Sequence, residues 1–235
     1  MASQNPSSPA GAESVHGATT VAVEDYAKAI YQLERDQGDA VSTTLLSEHL
    51  GVTPGSVSAM MKRLDDLGLV AHERYKGVRL TAPGRRVALE VIRHHRLLEL
   101  FLAEVLEVPW DRVHTEAEVL EHVLSEDLER LIAAKLGNPS HDPHGDPIPT
   151  AELTIDEPDT VPLEVLEPGT DGRLVSISDS DPAMLRYLAE RGIRPGDRFS
   201  VVERQPFGGP LLVDFSGDQL AIGGALAQAM RVQTA

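Results

Sequence analysis

The residues with the most chemistry in them are Glu118, Glu121 and His122. They stand at i, i+3 and i+4 in a segment that opens at His114 and reads as one helix to about Leu136. That spacing sends two carboxylates and an imidazole off one helix face within a single turn, half of a cage for a divalent metal. The chain has no cysteine, so the donors are oxygen and nitrogen. Such a set suits Mn(II) or Fe(II), with zinc and nickel as intruders. On the preceding segment His95 and Glu99 are spaced i, i+4, close enough to share one ion or to form a plain charge-assisted pair. The bland alternative is a solvated helix face, because the apolar stripe Leu120, Val123, Leu124, Leu128 and Leu131 points roughly the other way.

The elements that must position these groups come in a definite order. A chain of 235 residues holds one to three domains and an ample core. Its net charge of −16 argues against indiscriminate binding to nucleic acid or anionic membranes. The charge is uneven: Ser42 to Arg86 carries +3, leaving −19 on the remainder. No apolar run reaches the roughly 18 residues of a membrane span, and no signal peptide opens the chain, so a cytoplasmic protein with no membrane partner is expected. The absence of cysteine excludes disulfides, thiolate catalysis and cysteine zinc sites.

Residues 1–20 are small, polar and rich in Pro, Gly and Ser, and are expected to be a disordered leader. A helix follows from Val23 to Asp36, with Asp25 in its first turn. A short helix capped by Ser42 ends at Gly51, and another starts at Thr53-Pro54. This pair reads as a helix-turn-helix. Val70 to Thr81 alternates around Lys76-Gly77 as a hairpin should. Together these form a winged helix, spanning residues 21–92. Its second paired helix would offer Thr53, Ser56 and Ser58 to base edges or phosphates. Lys62 and Arg63, with Arg74 and Lys76 on the wing, would meet phosphates.

Pro83-Gly84 opens a long helix to about Leu106, apolar over much of its circumference. With the next helix it makes a helical dimerisation domain over residues 93–142, material for a second copy of the chain. A Pro/Gly-rich linker (143–160) leads to five short strands and one helix over residues 161–235, a small barrel. The predicted fold is mostly α: a winged helix-turn-helix and a helical dimerisation domain, followed by an SH3-like β-barrel.

This order of parts resembles the diphtheria-toxin-repressor family of metal-dependent transcriptional regulators in its three-domain form. The marks are Val23 to Leu33, Arg93-His-His-Arg-Leu-Leu-Glu99, the His114 to Ser125 segment, Pro143-His-Gly-Asp-Pro-Ile-Pro149, and the Arg194-Pro-Gly-Asp197 turn of an SH3-like (FeoA-like) end domain. The resemblance implies one metal site from Asp25, Glu118, Glu121 and His122. It implies a second from His95, Glu99 and His114, closed by an end-domain acid for which Asp181 aligns best. A further end-domain ligand would fall on Met184, a poor hard-metal donor. Arg96 would bind an anion beside the sites.

Iron-responsive members resemble this chain but carry Met and Cys where it has Asp25 and Glu118. Carboxylates at both places match the manganese-responsive branch, and Mn(II), lowest in the affinity series, needs hard oxygen donors. Lys28 stands where two-domain manganese regulators have Glu, which favours two separated sites over a close pair. The resemblance therefore implies a homodimeric Mn(II)-activated repressor of metal-homeostasis genes with two Mn(II) per subunit, binding double-stranded operator DNA and no small-molecule substrate. Fe(II) is the in-class alternative, and Zn(II), Co(II) and Ni(II) are expected to substitute in vitro. A metal-independent winged-helix regulator and a metallohydrolase are the competing classes. The second has neither a His-Glu-x-x-His pattern nor a nucleophile elbow behind it, so no enzyme is expected.

Overall fold

The computed structural model describes residues 20–73 and 75–234. Residues 1–19 of the expected leader, and Arg74, lie outside them. The chain divides into two compact units, Met1–Ala88 and Leu89–Ala235.

In the first unit α1 (Val21–Gln37), α2 (Thr43–Leu50) and α3 (Pro54–Asp66) precede a hairpin of β1 (Val70–Glu73) and β2 (Gly77–Leu80). Local chemistry sets the boundaries. The Ser42 hydroxyl accepts from the Leu45 N–H and opens α2, and the Thr53 hydroxyl accepts from the Ser56 N–H with Pro54 next in line. Val23, Ile30, Leu46, Val57, Leu64 and Val78 form the buried core. Val41 pairs with Val78 as a bridge beside the hairpin. Gly77 is required there: its φ is +133°, and a Cβ would strike the Val41 carbonyl. The expected winged helix-turn-helix is this unit.

The long helix α4 (Ala82–Glu104) leads into the second unit. The single helix expected from His114 to about Leu136 is in fact two, α5 (Val113–Leu120) and α6 (Glu126–Lys135). Ser125 makes the break. Its hydroxyl caps the Leu128 N–H at 3.3 Å, and Glu126, Asp127 and Glu129 crowd the new first turn, where negative charge is favoured. Leu97, Leu98, Leu100, Ala117, Leu124, Ile132 and Ile148 form the helical core. Val119, Val123, Leu128 and Leu131 are left exposed. No helix of the described residues is long and apolar enough to cross a membrane.

Residues 143–160 are not a free linker throughout. Asp142, His144, Gly145, Pro147, Ile148 and Pro149 are buried, because α4 presents arginines to their carbonyls. The Arg96 Nη1 donates to Pro147 O at 2.5 Å and the Arg93 Nη1 to Pro149 O at 2.6 Å. We call this stretch the strap.

The end domain follows as β3 (Val161–Pro162), β4 (Asp171–Ile177), α7 (Pro182–Ala189), β5 (Arg198–Arg204), β6 (Leu211–Phe215), β7 (Asp218–Ile222), α8 (Gly224–Ala229) and β8 (Met230–Thr234). These strands form one antiparallel sheet in the order β3-β8-β4-β5-β6-β7. Register shifts at Leu174/Ser176 and Val201/Glu203 bend it, as bulges do. Leu163 to Val165 is a 3-10 turn that buries Leu163. The sixth strand, β8, was not expected. It lies between β3 and β4, so it holds the sheet together. Leu174, Ile177, Leu188, Phe199, Val213 and Met230 fill the interior, and Trp110 of the α4–α5 connection packs against it.

Candidate metal centre

Among the described residues of the second unit, His95, Glu99, His114, Glu118, Glu121 and Asp179 converge where α4, α5 and the turn after β4 meet. His95, on α4, is at the middle. Its Nε2 lies 2.9 Å from Glu99 Oε1, one helical turn on, and 3.1 Å from His114 Nδ1 of α5. His114 Nδ1 is also 2.9 Å from Asp179 Oδ2 and 3.4 Å from Glu99 Oε1. One donor atom each from His95, Glu99, His114 and Asp179 thus lies within 4.8 Å of the others. The opposite nitrogen of the same ring, His95 Nδ1, hydrogen-bonds to Glu121 Oε2 and is 3.7 Å from Glu118 Oε1. His122 Nε2 is 3.3 Å from Glu121 Oε1. At the C-terminal end of α5, Glu118 and Glu121 thus share the His95 ring, while His122 lies against Glu121; Glu121 is buried, His122 half-buried and Glu118 exposed. His94 anchors that end by reaching the Glu121 carbonyl at 3.1 Å and Glu129 Oε2 at 3.1 Å.

The electrostatics are those of a cation site. Burial works to raise the Glu99 carboxyl, but the His95 charge, hydrogen bonds from His114 and His95, and the nearby His144 hold it well below its ordinary range. Burial likewise opposes ionisation of Asp179, and the hydrogen bond from His114 overcomes it, lowering that carboxyl. His114 moves the other way: hydrogen bonds to Asp179 and then Glu99 raise it to about 10, against burial. Two imidazole N–H groups thus crowd one carboxylate oxygen. A divalent ion would replace both protons with one doubly charged centre, and Glu99 Oε2 is buried with no hydrogen-bond partner among the described residues. The donors are hard oxygens and imidazoles, so the residues fit Mn(II) or Fe(II).

Two expectations need correction. Asp181 is not in the cluster; it is the N-cap of α7, its carboxylate accepting from the Ala183 N–H at 2.8 Å. Asp179, two residues earlier, supplies the end-domain carboxylate. The signal was present: Asp followed by Pro is what a helix cap with Pro at the first helical position looks like. Met184 enters none of the clusters found among the described residues. Arg96 is not an open anion seat either. It is buried, donates to Pro147 O, and its Nε lies 3.7 Å from Asp142 Oδ2. Burial, with Asp146 and Glu99 nearby, pushes the Asp142 carboxyl up, and Arg96 partly offsets this.

In the first unit Asp25 is half-buried in α1, beside buried Glu24 and Lys28. On α3 the Thr53, Ser56 and Ser58 hydroxyls are exposed but locally bonded: Thr53 Oγ1 to Ser56 Oγ at 3.0 Å and Ser58 Oγ to Pro54 O at 2.9 Å. Lys62 and Arg63 are exposed, and no described residue engages them. The wing differs. Lys76 Nζ is 3.2 Å from Asp39 Oδ1, and Arg79 binds Glu73 at 2.5 Å and Asp39 at 2.9 Å. Among the described cations of α3 and the wing, those without a partner are therefore Lys62 and Arg63 of α3, while Arg74 lies outside the described residues.

A winged helix joined to a helical domain bearing metal-type clusters, and ending in a small barrel, defines a class of metal-responsive DNA-binding regulators. Three family models match in that order: the iron dependent repressor N-terminal DNA binding domain over residues 18–78, the iron dependent repressor metal binding and dimerisation domain over 81–150, and the FeoA domain over 161–234. The iron-dependent repressor IdeR of Mycobacterium tuberculosis is 32% identical over 222 residues, 89% of this chain and 96% of that protein. The diphtheria toxin repressor of Corynebacterium diphtheriae is 28% identical over 226 residues, 89% of this chain and 96% of that protein. A solved manganese-dependent transcriptional repressor in complex with manganese superposes with a TM-score of 0.85 at 42% identity, over 91% of this chain and 100% of that one. The chain belongs to the iron-dependent (diphtheria-toxin) repressor family of DNA-binding, metal-dependent transcriptional repressors, and it is not an enzyme.

Proposed function

We propose that this repressor is activated by Mn(II), acts as a homodimer, and binds double-stranded operator DNA of metal-homeostasis genes when two metal ions per subunit are in place. The observation that carries the choice of metal is the donor set. Asp25 and Glu118 put carboxylates where sulfur would favour stronger-binding competitors, and a site for Mn(II) must avoid soft ligands. The likeness to a manganese-dependent repressor at 42% identity supports the same reading.

One centre uses Glu118, Glu121 and His122, with Asp25 added on the strength of the family resemblance. The second uses His95, Glu99, His114 and Asp179. A bound divalent ion supplies the charge that allows these carboxylates to converge. Asp25 and the α5 ligands, drawn together, fix the placement of α1 and with it the DNA-reading α3. Lys62 and Arg63 meet phosphates, which raises affinity without choosing sequence. Thr53, Ser56 and Ser58 line the face presented to DNA, with Arg74 and Lys76 on the wing. The exposed Val119, Val123, Leu128 and Leu131 supply an apolar face for a second copy. Metal and DNA then strengthen each other's binding by one common factor.

A second reading has the same architecture answering to Fe(II), and the 32% identity to a protein named as an iron-dependent repressor favours it. Titration of metal-free protein onto labelled promoter DNA, followed by fluorescence anisotropy, separates the two. Mn(II), anaerobic Fe(II), Zn(II) and chelator are compared. Binding that appears with Mn(II) at lower concentration than with Fe(II) supports the proposal, and the reverse order supports iron. Equal binding in chelator removes metal activation altogether.

A further inference from the structure

The strap is held on both sides. Arg93 and Arg96 grip it from α4 through the carbonyls of Pro149 and Pro147. From the end domain, the Ile177 N–H donates to His144 O at 3.0 Å. Gly145, at φ +90°, lies so close to Val175 that a Cβ would strike its carbonyl oxygen. Internally, Asp142 Oδ1 accepts from the His144 N–H at 2.8 Å and the Asp146 N–H at 2.9 Å. The backbone at His144 has nowhere to go.

This rigid segment points an imidazole at the second centre. His144 is fully buried, its ring 5.6 Å from that of Trp110. Its Nε2 stands 3.9 Å from Glu99 Oε1. Among the described residues neither His144 nitrogen has a hydrogen-bond partner, and neither has Glu99 Oε2. Buried polar atoms are rarely left so, because each gives up water without compensation. The His144 ring thus lies beside a carboxylate with one oxygen, Oε1, held by His95 and the other, Oε2, left over. His144 is outside the set of donors that lie within 4.8 Å of one another. It is a partner of a ligand.

We infer that His144 is a positioning residue of the second centre. Its ring N–H donates to Glu99, holding one carboxylate oxygen so that the other faces the ion. The terminal torsion of a glutamate is soft, so a small rotation of the carboxyl closes the gap. Carboxylates that ligate metals are commonly held in this way. Ile177, which fixes His144, is two residues before Asp179, so one strand end sets both the end-domain ligand and the group that orients Glu99. The inference rests on the reading of His95, Glu99, His114 and Asp179 as a metal centre.

The test compares wild type, His144→Leu and His144→Gln, the last retaining an N–H donor. Isothermal titration with Mn(II) reads stoichiometry and affinity, and Co(II) absorption reads the ligand field. Thermal unfolding of the metal-free proteins reads the packing. His144→Leu is expected to leave metal-free stability equal or higher and to weaken the second site about 10- to 100-fold. His144→Gln is expected to recover part of that loss, and Co(II) spectra of Leu and wild type should differ. Wild-type second-site affinity in His144→Leu, or equal loss in the Leu and Gln variants, overturns the positioning role. If wild type binds a single ion and Glu99→Ala changes nothing, it is the second centre itself that fails.

Discussion

Asp179 and Asp181 stand two residues apart with different work to do, and alanine at each separates a metal ligand from a helix cap. Asp181→Ala removes the acceptor for the Ala183 N–H. It should cost about 1 kcal/mol of stability and leave metal affinity unchanged. Asp179→Ala removes a donor of the second cluster and also the first-ranked cause of the raised His114. These two effects oppose each other. With His114 raised to about 10, its ring is proton-free in about one molecule in a thousand at pH 7. Metal must displace that proton, so wild-type affinity for the second ion should climb about tenfold per pH unit. Without Asp179 the proton is held less tightly, by Glu99 alone, and the climb is shallower. The ratio of wild-type to variant affinity should therefore widen from about 10-fold at pH 6.5 to about 100-fold or more at pH 8.5. Calorimetry with Mn(II), in two buffers of different ionisation heat, reads affinity and protons released together. A flat ratio across that range, or an equal loss in Asp181→Ala, would refute the reasoning.

Metal-free stability has the opposite pH dependence. His114 is raised from 6.5 to about 10, so its contribution is fully present below about pH 6.5 and fades as pH rises through 10. Thermal unfolding without metal should show a melting point falling from neutral pH upward, with a shallower fall in Asp179→Ala. Glu121 is buried against His95 and His122. Glu121→Ala should abolish metal-stimulated operator binding while circular dichroism stays native, and full Mn(II) response in that variant removes the first-centre assignment. Arg96→Ala leaves the buried Pro147 carbonyl without its donor and should cost about 1–3 kcal/mol, seen as a lower urea midpoint. Asp142→Asn should cost less, since burial already pushes that carboxyl toward its neutral form; equal losses would show that the pair does not behave as described.

The parts legible in the sequence are those fixed by neighbours in sequence. Ser42, Thr53-Pro54, Gly38 and Gly51 mark helix ends by chemistry within four residues: α1 stops at Gly38, α2 runs between Ser42 and Gly51, and α3 starts at Thr53. Likewise His95 and Glu99, or Glu118, Glu121 and His122, share a face because helical geometry alone puts them there. The break at Ser125 was harder, since the apolar period runs on through Leu124, Leu128 and Leu131. Three acids in the four positions after a serine were the available sign of a fresh N-terminus. The strap was misleading for another reason. Its Pro/Gly composition describes an irregular backbone, whereas its burial comes from Arg93 and Arg96 about fifty residues earlier, a contact no local pattern records.

The same distinction explains what the spacing of ligands left out. Each helix declared its own donors, and two separate sites were the natural reading. In the fold one imidazole serves both: His95 gives Nδ1 to Glu121 and turns Nε2 toward Glu99 and His114. A ring has one orientation and, when neutral, one proton to place. Whatever fixes Nε2 therefore constrains the donor offered to Glu121. The ligand sets cannot be adjusted independently, and a change at Asp179 reaches Glu121 through two side chains that touch in sequence, His114 and His95. That chain exists only once α4, α5 and the turn after β4 are brought together, which is why spacing along the sequence could name its members but not its connectivity.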